Sequence, residues 1–134
     1  MKSQQEIIED FEIFEDWMEK YQYLIDLGKD LDKLEDHEKT DENKLQGCQS
    51  QVWIVHQLVD NKLIFKAESD AAIVAGLVAL VLSIYSGKSP QDIINTEPNF
   101  IKEIGLNQHL SSTRSNGLSS LLNKIKEVAH NHSQ

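Results

Sequence analysis

The chain has 134 residues, 40% of them hydrophobic, which is enough for one core and too little for two comfortable domains, so residues 1–134 read as a single domain. Its single cysteine excludes an internal disulfide, and it excludes a zinc ribbon or an iron–sulfur cluster ligated by this chain alone. A net charge of -9 speaks against a nucleic-acid surface, which needs clustered Lys and Arg.

The acidity is local. Residues 1–43 hold 15 acids against 5 lysines, whereas 44–134 hold 7 acids against 8 basic residues. Solvated helical faces account for such a pattern, and so does steering of a basic partner. The first twenty residues mix acids with isolated hydrophobics and lack the basic, apolar, small-residue order of a signal peptide, which predicts a cytoplasmic protein.

In chain order, Ile7, Phe11, Phe14, Met18 and Tyr21 follow the 4, 3, 4, 3 spacing of one helical stripe, opposite an acidic face. Leu24, Leu27, Leu31 and Leu34 repeat the spacing and predict a second, weaker helix, with Gly28 lowering its propensity. The stretch 35–43 has no apolar residue and reads as an exposed loop. β-Branched residues in 52–59, the polar turn Asp60-Asn61-Lys62 and the apolar run 63–67 predict an antiparallel hairpin. Residues 44–47 are a candidate third strand.

Ser69 is suited to cap a helix and Asp70 to its positive end, so a central helix is expected from Ala71 to a stop at Gly87. This run, 71–85, carries no charge, yet it falls short of the roughly 20 residues needed to cross a bilayer. It therefore reads as a buried helix covered on most sides. Ser89-Pro90-Gln91-Asp92 combines a cap, an N1 proline and an acid, which starts a short helix. Residues 98–105, with Phe100, Ile101 and Ile104, make another. Leu118, Leu121, Leu122, Ile125 and Val128 form the face of a last helix, with fraying expected from His130.

The chemistry points to Gly47-Cys48-Gln49-Ser50-Gln51-Val52-Trp53-Ile54, where a thiol sits between a polar loop and a strand. The glycine leaves room for another molecule to approach, and a cation nearby would favour the nucleophilic thiolate. A small buried hydrophobe is the bland alternative for Cys48. His56 reads as a strand-surface residue and Trp53 as core. Asp70 reads as a helix-start residue first and as partner surface second.

That octapeptide resembles the signature of the SufE and CsdE family of sulfur acceptors, in which this cysteine takes up sulfur as a persulfide. Asp16-Trp17-Met18-Glu19-Lys20-Tyr21 resembles the family's N-terminal helix. Ser69-Asp70-Ala71-Ala72-Ile73-Val74 with Gly76-Leu77 resembles the start of its central helix. Gln108-His109-Leu110, with Thr113-Arg114-Ser115 following, resembles its C-terminal motif. The likeness spans about 16–129; the acidic loop and the tail from His130 have no motif to match.

The resemblance implies an α/β (α+β) fold, a small antiparallel three-stranded sheet packed with helices and similar to the U-type iron–sulfur scaffold. It implies sulfur uptake on Cys48 from a cysteine desulfurase of the SufS or CsdA type, stimulation of that enzyme, and delivery to a scaffold of the SufBCD type. It leaves a homodimer open and calls for no cofactor here, since pyridoxal phosphate belongs to the desulfurase. The thiol count agrees. A scaffold needs several thiolates, whereas a relay needs one that attacks a persulfide. Arg114, charged at all accessible pH, and His109 are the candidates for supporting the thiolate or persulfide. Two readings compete with the relay: a cysteine hydrolase built on Cys48, His109 and Asn107, and a module with an inert thiol that docks through the acidic N-terminal helices.

Overall fold

A computed structural model describes residues 4–45, 51–103 and 112–133, with side chains over 5–45, 51–101 and 117–133. The elements run α1 (Gln4–Ile13), α2 (Trp17–Lys29), a 3-10 turn (Asp36–Glu38), β1 (Val52–Val59), β2 (Lys62–Ser69), α3 (Ala72–Tyr85), α4 (Pro90–Asn95), α5 (Phe100–Glu103) and α6 (Ser112–His132).

The apolar stripe expected from Ile7 to Tyr21 is broken between two helices. Asp16 caps α2 by accepting the Glu19 N–H at 2.9 Å, and the three-residue break resets the helical phase. Ile7 and Phe11 are buried, Met18 is thrown out to 82% exposure, and Trp17, Tyr21 and Leu24 take the inward positions. The junction is held by rings, with Tyr23 5.2 Å from both Phe11 and Phe14. Leu24 and Leu27 belong to α2; Leu31 and Leu34 lie beyond its end.

Gly28 has a packing role that propensity does not reveal. A Cβ there would stand 2.7 Å from the Gly76 nitrogen, and one on Gly76 would overlap the Leu24 carbonyl. The two helices touch backbone to backbone. Leu27 and Leu31 then line one groove with Ala79, Leu82 and Ser86. Helices α2 and α3 therefore run in the same direction.

The hairpin forms in continuous antiparallel register from Val52↔Ser69 to Val59↔Lys62. Asp60 and Asn61 take φ of 52° and 64°, the left-handed pair that a two-residue type I′ turn requires and that Asp and Asn tolerate. Alternation puts Val52, Ile54, Leu63, Phe65 and Ala67 into the core. Among the described residues the sheet has two strands, not the three expected. Of the candidate third strand 44–47, residues 46 and 47 lie outside the described residues, and Lys44 and Leu45 form no strand, because the chain is still turning at Asn43, whose N–H meets the Thr40 carbonyl at 3.2 Å. What remains is a bridge at Lys44↔Trp53.

Ser69 ends β2 and does not cap α3; its hydroxyl accepts the Ala71 N–H at 3.3 Å, and Ala71 holds the cap position. Helix α3 is buried along most of its length, as its composition requires. It stops before Gly87, at φ 87°. Ser89 caps α4 by accepting the Asp92 N–H at 3.2 Å, with Pro90 at the first helical position.

Helix α6 buries Leu118, Leu121, Ile125 and Val128 and runs on to His132, past the fraying expected from His130. The reason is a contact with the sheet: the His132 ring lies edge-on to His56, centroids 5.6 Å apart. Burial first, then the His132 and Lys124 charges, lower the His56 pKa from 6.5. A histidine with a depressed folded-state pKa binds fewer protons folded than unfolded, so stability falls as pH drops through 6.5 toward the folded value. The thermal midpoint is expected to drift down over that window, and His56→Gln to flatten the drift, measured by melts from pH 8 to pH 5.5.

Candidate functional site

Cys48 and His109 lie outside the described residues. Arg114 stands in the first turn of α6, and its side chain lies outside the described residues too. What is described is the frame on either side of Cys48. Before it, the Leu45 N–H donates to the Val52 carbonyl at 2.8 Å, and the Ile54 N–H to the Asn43 carbonyl at 2.9 Å. After it, the Gln51 N–H donates to Asp70 Oδ1 at 3.0 Å, and the Asp70 N–H returns to the Gln51 carbonyl at 3.3 Å. Three residues, roughly 10 Å of chain at full extension, separate Cys48 from each anchor.

Asp70 thus does more than sit at a helix start. It joins the beginning of β1 to the beginning of α3, a link between residues 19 apart that neither local segment advertises. Asp70→Ala is expected to leave the fold intact and to speed amide exchange at Gln51 by about five- to tenfold, the worth of one hydrogen bond of roughly 1 kcal/mol.

Other elements reach the same end of the molecule. Ser120, Asn123, Lys124 and Glu127 of α6 face residues 41–45 across an open groove of about 380 Å³, while His132 rests on His56 farther along β1. Helix α6 therefore runs in the direction of β1, and its first turn, with the backbone of Arg114, points to the Leu45–Val52 closure. Because α2 runs with α3, the start of α2 is carried there as well.

The acidic stretch before the site is tied down on one side. Glu68 of β2 accepts the Leu34 N–H at 3.0 Å and the Lys39 ammonium at 3.1 Å, and Lys66 lies 3.9 Å from Glu38. Desolvation works to raise the Glu68 pKa, but the Leu34 and Lys39 hydrogen bonds and the lysine charges outweigh it and lower the value from 4.5. Trp53 is half-buried, with the Lys39 ammonium 5.9 Å from its ring centre. Sequence periodicity could not find these links, since the partners lie some thirty residues apart.

Among the described residues, no group of three or more His, Cys, Asp or Glu side chains could hold a metal ion. Nor is any helix among them long and apolar enough to cross a membrane.

A family model described as SufE, an Fe-S metabolism associated domain, matches residues 5–129. An uncharacterized SufE-like protein of Rhizobium meliloti (strain 1021) is 46% identical, over 96% of both chains. One of Rhizobium etli is also 46% identical, over 96% of this chain and 90% of its own. The solution structure of a hypothetical protein from Thermus thermophilus superposes with a TM-score of 0.78 over 96% of this chain and 94% of that one. At 16% identity the last comparison establishes the fold: helices packed on an antiparallel sheet.

Proposed function

The chain belongs to the SufE family, whose domain carries a sulfur-transfer role in iron–sulfur metabolism alongside cysteine desulfurases, and from that premise we propose that Cys48 is the sulfur acceptor. The Cys48 thiolate attacks the outer sulfur of the desulfurase's cysteine persulfide. The donor's S–S bond breaks, its cysteine leaves as a thiolate, and Cys48 carries the sulfane sulfur as a new persulfide. No external oxidant or reductant is consumed. Removal of the sulfur frees the desulfurase for another cycle, which is how acceptance would stimulate it. A second attack, by a thiol of a SufBCD-type scaffold, would return Cys48 to its starting state.

The observation that carries this reading is the setting of the chain's one cysteine. It stands in the family's octapeptide, in a segment whose two ends are pinned by Leu45–Val52 and Gln51–Asp70. A pinned frame lowers the entropy lost when the thiol is brought to a donor. Arg114 is assigned to hold the thiolate or persulfide charge and His109 to support proton movement, both from the family's C-terminal motif. Pyridoxal phosphate stays with the desulfurase, and the site of action is the cytosol.

The test is intact mass after mixing with a desulfurase and cysteine. A gain of one sulfur, removable by reductant, is expected on the wild type and not on Cys48→Ser. Absence of the gain with an active desulfurase of the matching system would sink the acceptor reading and leave the inert-thiol docking module.

A further inference from the structure

The corner between α1 and α2 carries two large aliphatic side chains that the fold does not use. Ile13 is 75% and Met18 82% exposed, far above the other exposed large hydrophobics among the described residues, Leu58, Val59 and Ile64, all near 40%. Side chains of this size held so fully in water bury little within the fold, and apolar surface rimmed by polar residues is the mark of an interaction site. Glu12, Glu15, Asp16 and Glu19 stand around them in sequence and are all exposed.

The position of this corner gives it a meaning. Leu24 and Gly28 meet Gly76, and Leu31 lines one groove with Leu82 and Ser86, so the chain entering α2 lies toward the start of α3. There Asp70 holds Gln51, three residues past Cys48. The aliphatic pair and its acids share one end of the molecule with the segment that bears the thiol.

We propose that Ile13 and Met18 are the apolar anchors of a docking surface for the sulfur donor, a protein presenting an apolar recess ringed by Lys and Arg. This rests on the reading of Cys48 as sulfur acceptor and adds the surface by which the donor is gripped. Charge complementarity selects the occupant. A second copy of this chain would bring two acidic rims together, each from a segment holding 15 acids against 5 lysines. A basic rim turns the same acids into steering charges that speed encounter. The unbranched, polarizable Met18 suits a recess that must adapt to it. Such centrally placed apolar anchors carry most of an interface's affinity, with the charged rim acting on the rate of association.

The test measures binding of the full chain to the desulfurase used for sulfur loading, by titration calorimetry, beside the mass assay for sulfur on Cys48. Ile13→Ser with Met18→Ser, both already exposed, is expected to weaken binding at least tenfold with an unchanged circular dichroism spectrum. Glu12→Lys with Glu15→Lys is expected to weaken binding at low salt and flatten its salt dependence. Leu58→Ser, at the far end of the hairpin, serves as the control and is expected to bind as the wild type does.

If the wild type takes up sulfur and the Ile13/Met18 variant binds as tightly, the docking proposal is overturned while the acceptor reading stands. If the wild type takes up no sulfur but the variant loses binding, the docking surface stands without the acceptor reading. No measurable binding by the wild type, equal weakening by Leu58→Ser, or a homodimer that the Ile13/Met18 variant dissociates, overturns the docking proposal.

Discussion

Gly76→Ala is expected to cost ~3 kcal/mol or more and to lower the thermal midpoint by about 10 °C. On most helices this substitution stabilises, since alanine is the better helix former by up to ~1 kcal/mol. Here the added methyl overlaps the Leu24 carbonyl and its carbon, the latter at 2.5 Å. Neither is the end of a flexible side chain, so α2 must move off α3 as a body. Moving it opens the contacts that bury Leu24 and Leu77. Gly28→Ala meets the same surface at 2.7 Å from the Gly76 nitrogen and 2.9 Å from the Ala75 carbonyl carbon, and is expected to destabilise in the same direction. Denaturant unfolding of both variants checks the sign; a stabilised Gly76→Ala would refute the close crossing.

Lys126→Met is expected to cost about 2–3 kcal/mol. The Lys126 ammonium donates to the carbonyls of Ile93 at 2.6 Å, Ile94 at 3.0 Å and Thr96 at 2.7 Å. They cluster at the C-terminal end of α4, where carbonyls run out of i+4 donors; the Ile93 carbonyl also accepts the Thr96 N–H at 3.2 Å. The positive charge also suits the negative end of the helix dipole. Burial lowers the Lys126 pKa, a drop that Glu97 opposes and Lys88 reinforces. Tyr85 donates its hydroxyl to the same Thr96 carbonyl at 3.0 Å. Burial, helped by Glu97, pushes its pKa up to about 12. Tyr85→Phe removes one neutral hydrogen bond from a carbonyl that Lys126 still serves, so its cost is expected near ~1 kcal/mol. Urea midpoints of the two variants should therefore separate clearly, and equal midpoints would deny the lysine its capping role.

Features written in adjacent residues were legible in the sequence. The turn at Asp60-Asn61, the start of α4 at Ser89-Pro90 and the Leu118 to Val128 face of α6 each depend on neighbours within a helical turn or a hairpin. The octapeptide around Cys48 belongs to the same class, which is why the family could be named before any geometry. Features that depend on distant partners were not legible. The apolar spacing continues numerically through Asp16, so periodicity alone carried one stripe across a break that the Asp16 cap creates. Lys44 and Leu45 had the residues for a third strand, but the turn at Asn43 left only a bridge. Asp70 looked like a helix-start residue because its partner, Gln51, is 19 residues away. Lys126 carried no signal of its role, because the carbonyls it meets lie at least 30 residues away.

The clasp between Leu45 and Val52 has a consequence for how the segment it closes can change. Since the Leu45 N–H and the Val52 carbonyl meet at 2.8 Å, the six residues between them start and finish at nearly one point on the sheet. Closing a longer chain between fixed ends costs only about 0.6 kcal/mol per doubling of length. Lengthening the chain between 46 and 50 thus adds little closure cost to the fold, provided that Asp70 keeps its hold on residue 51. A laboratory could insert residues into this segment and read the change in sulfur acceptance at little cost in chain closure.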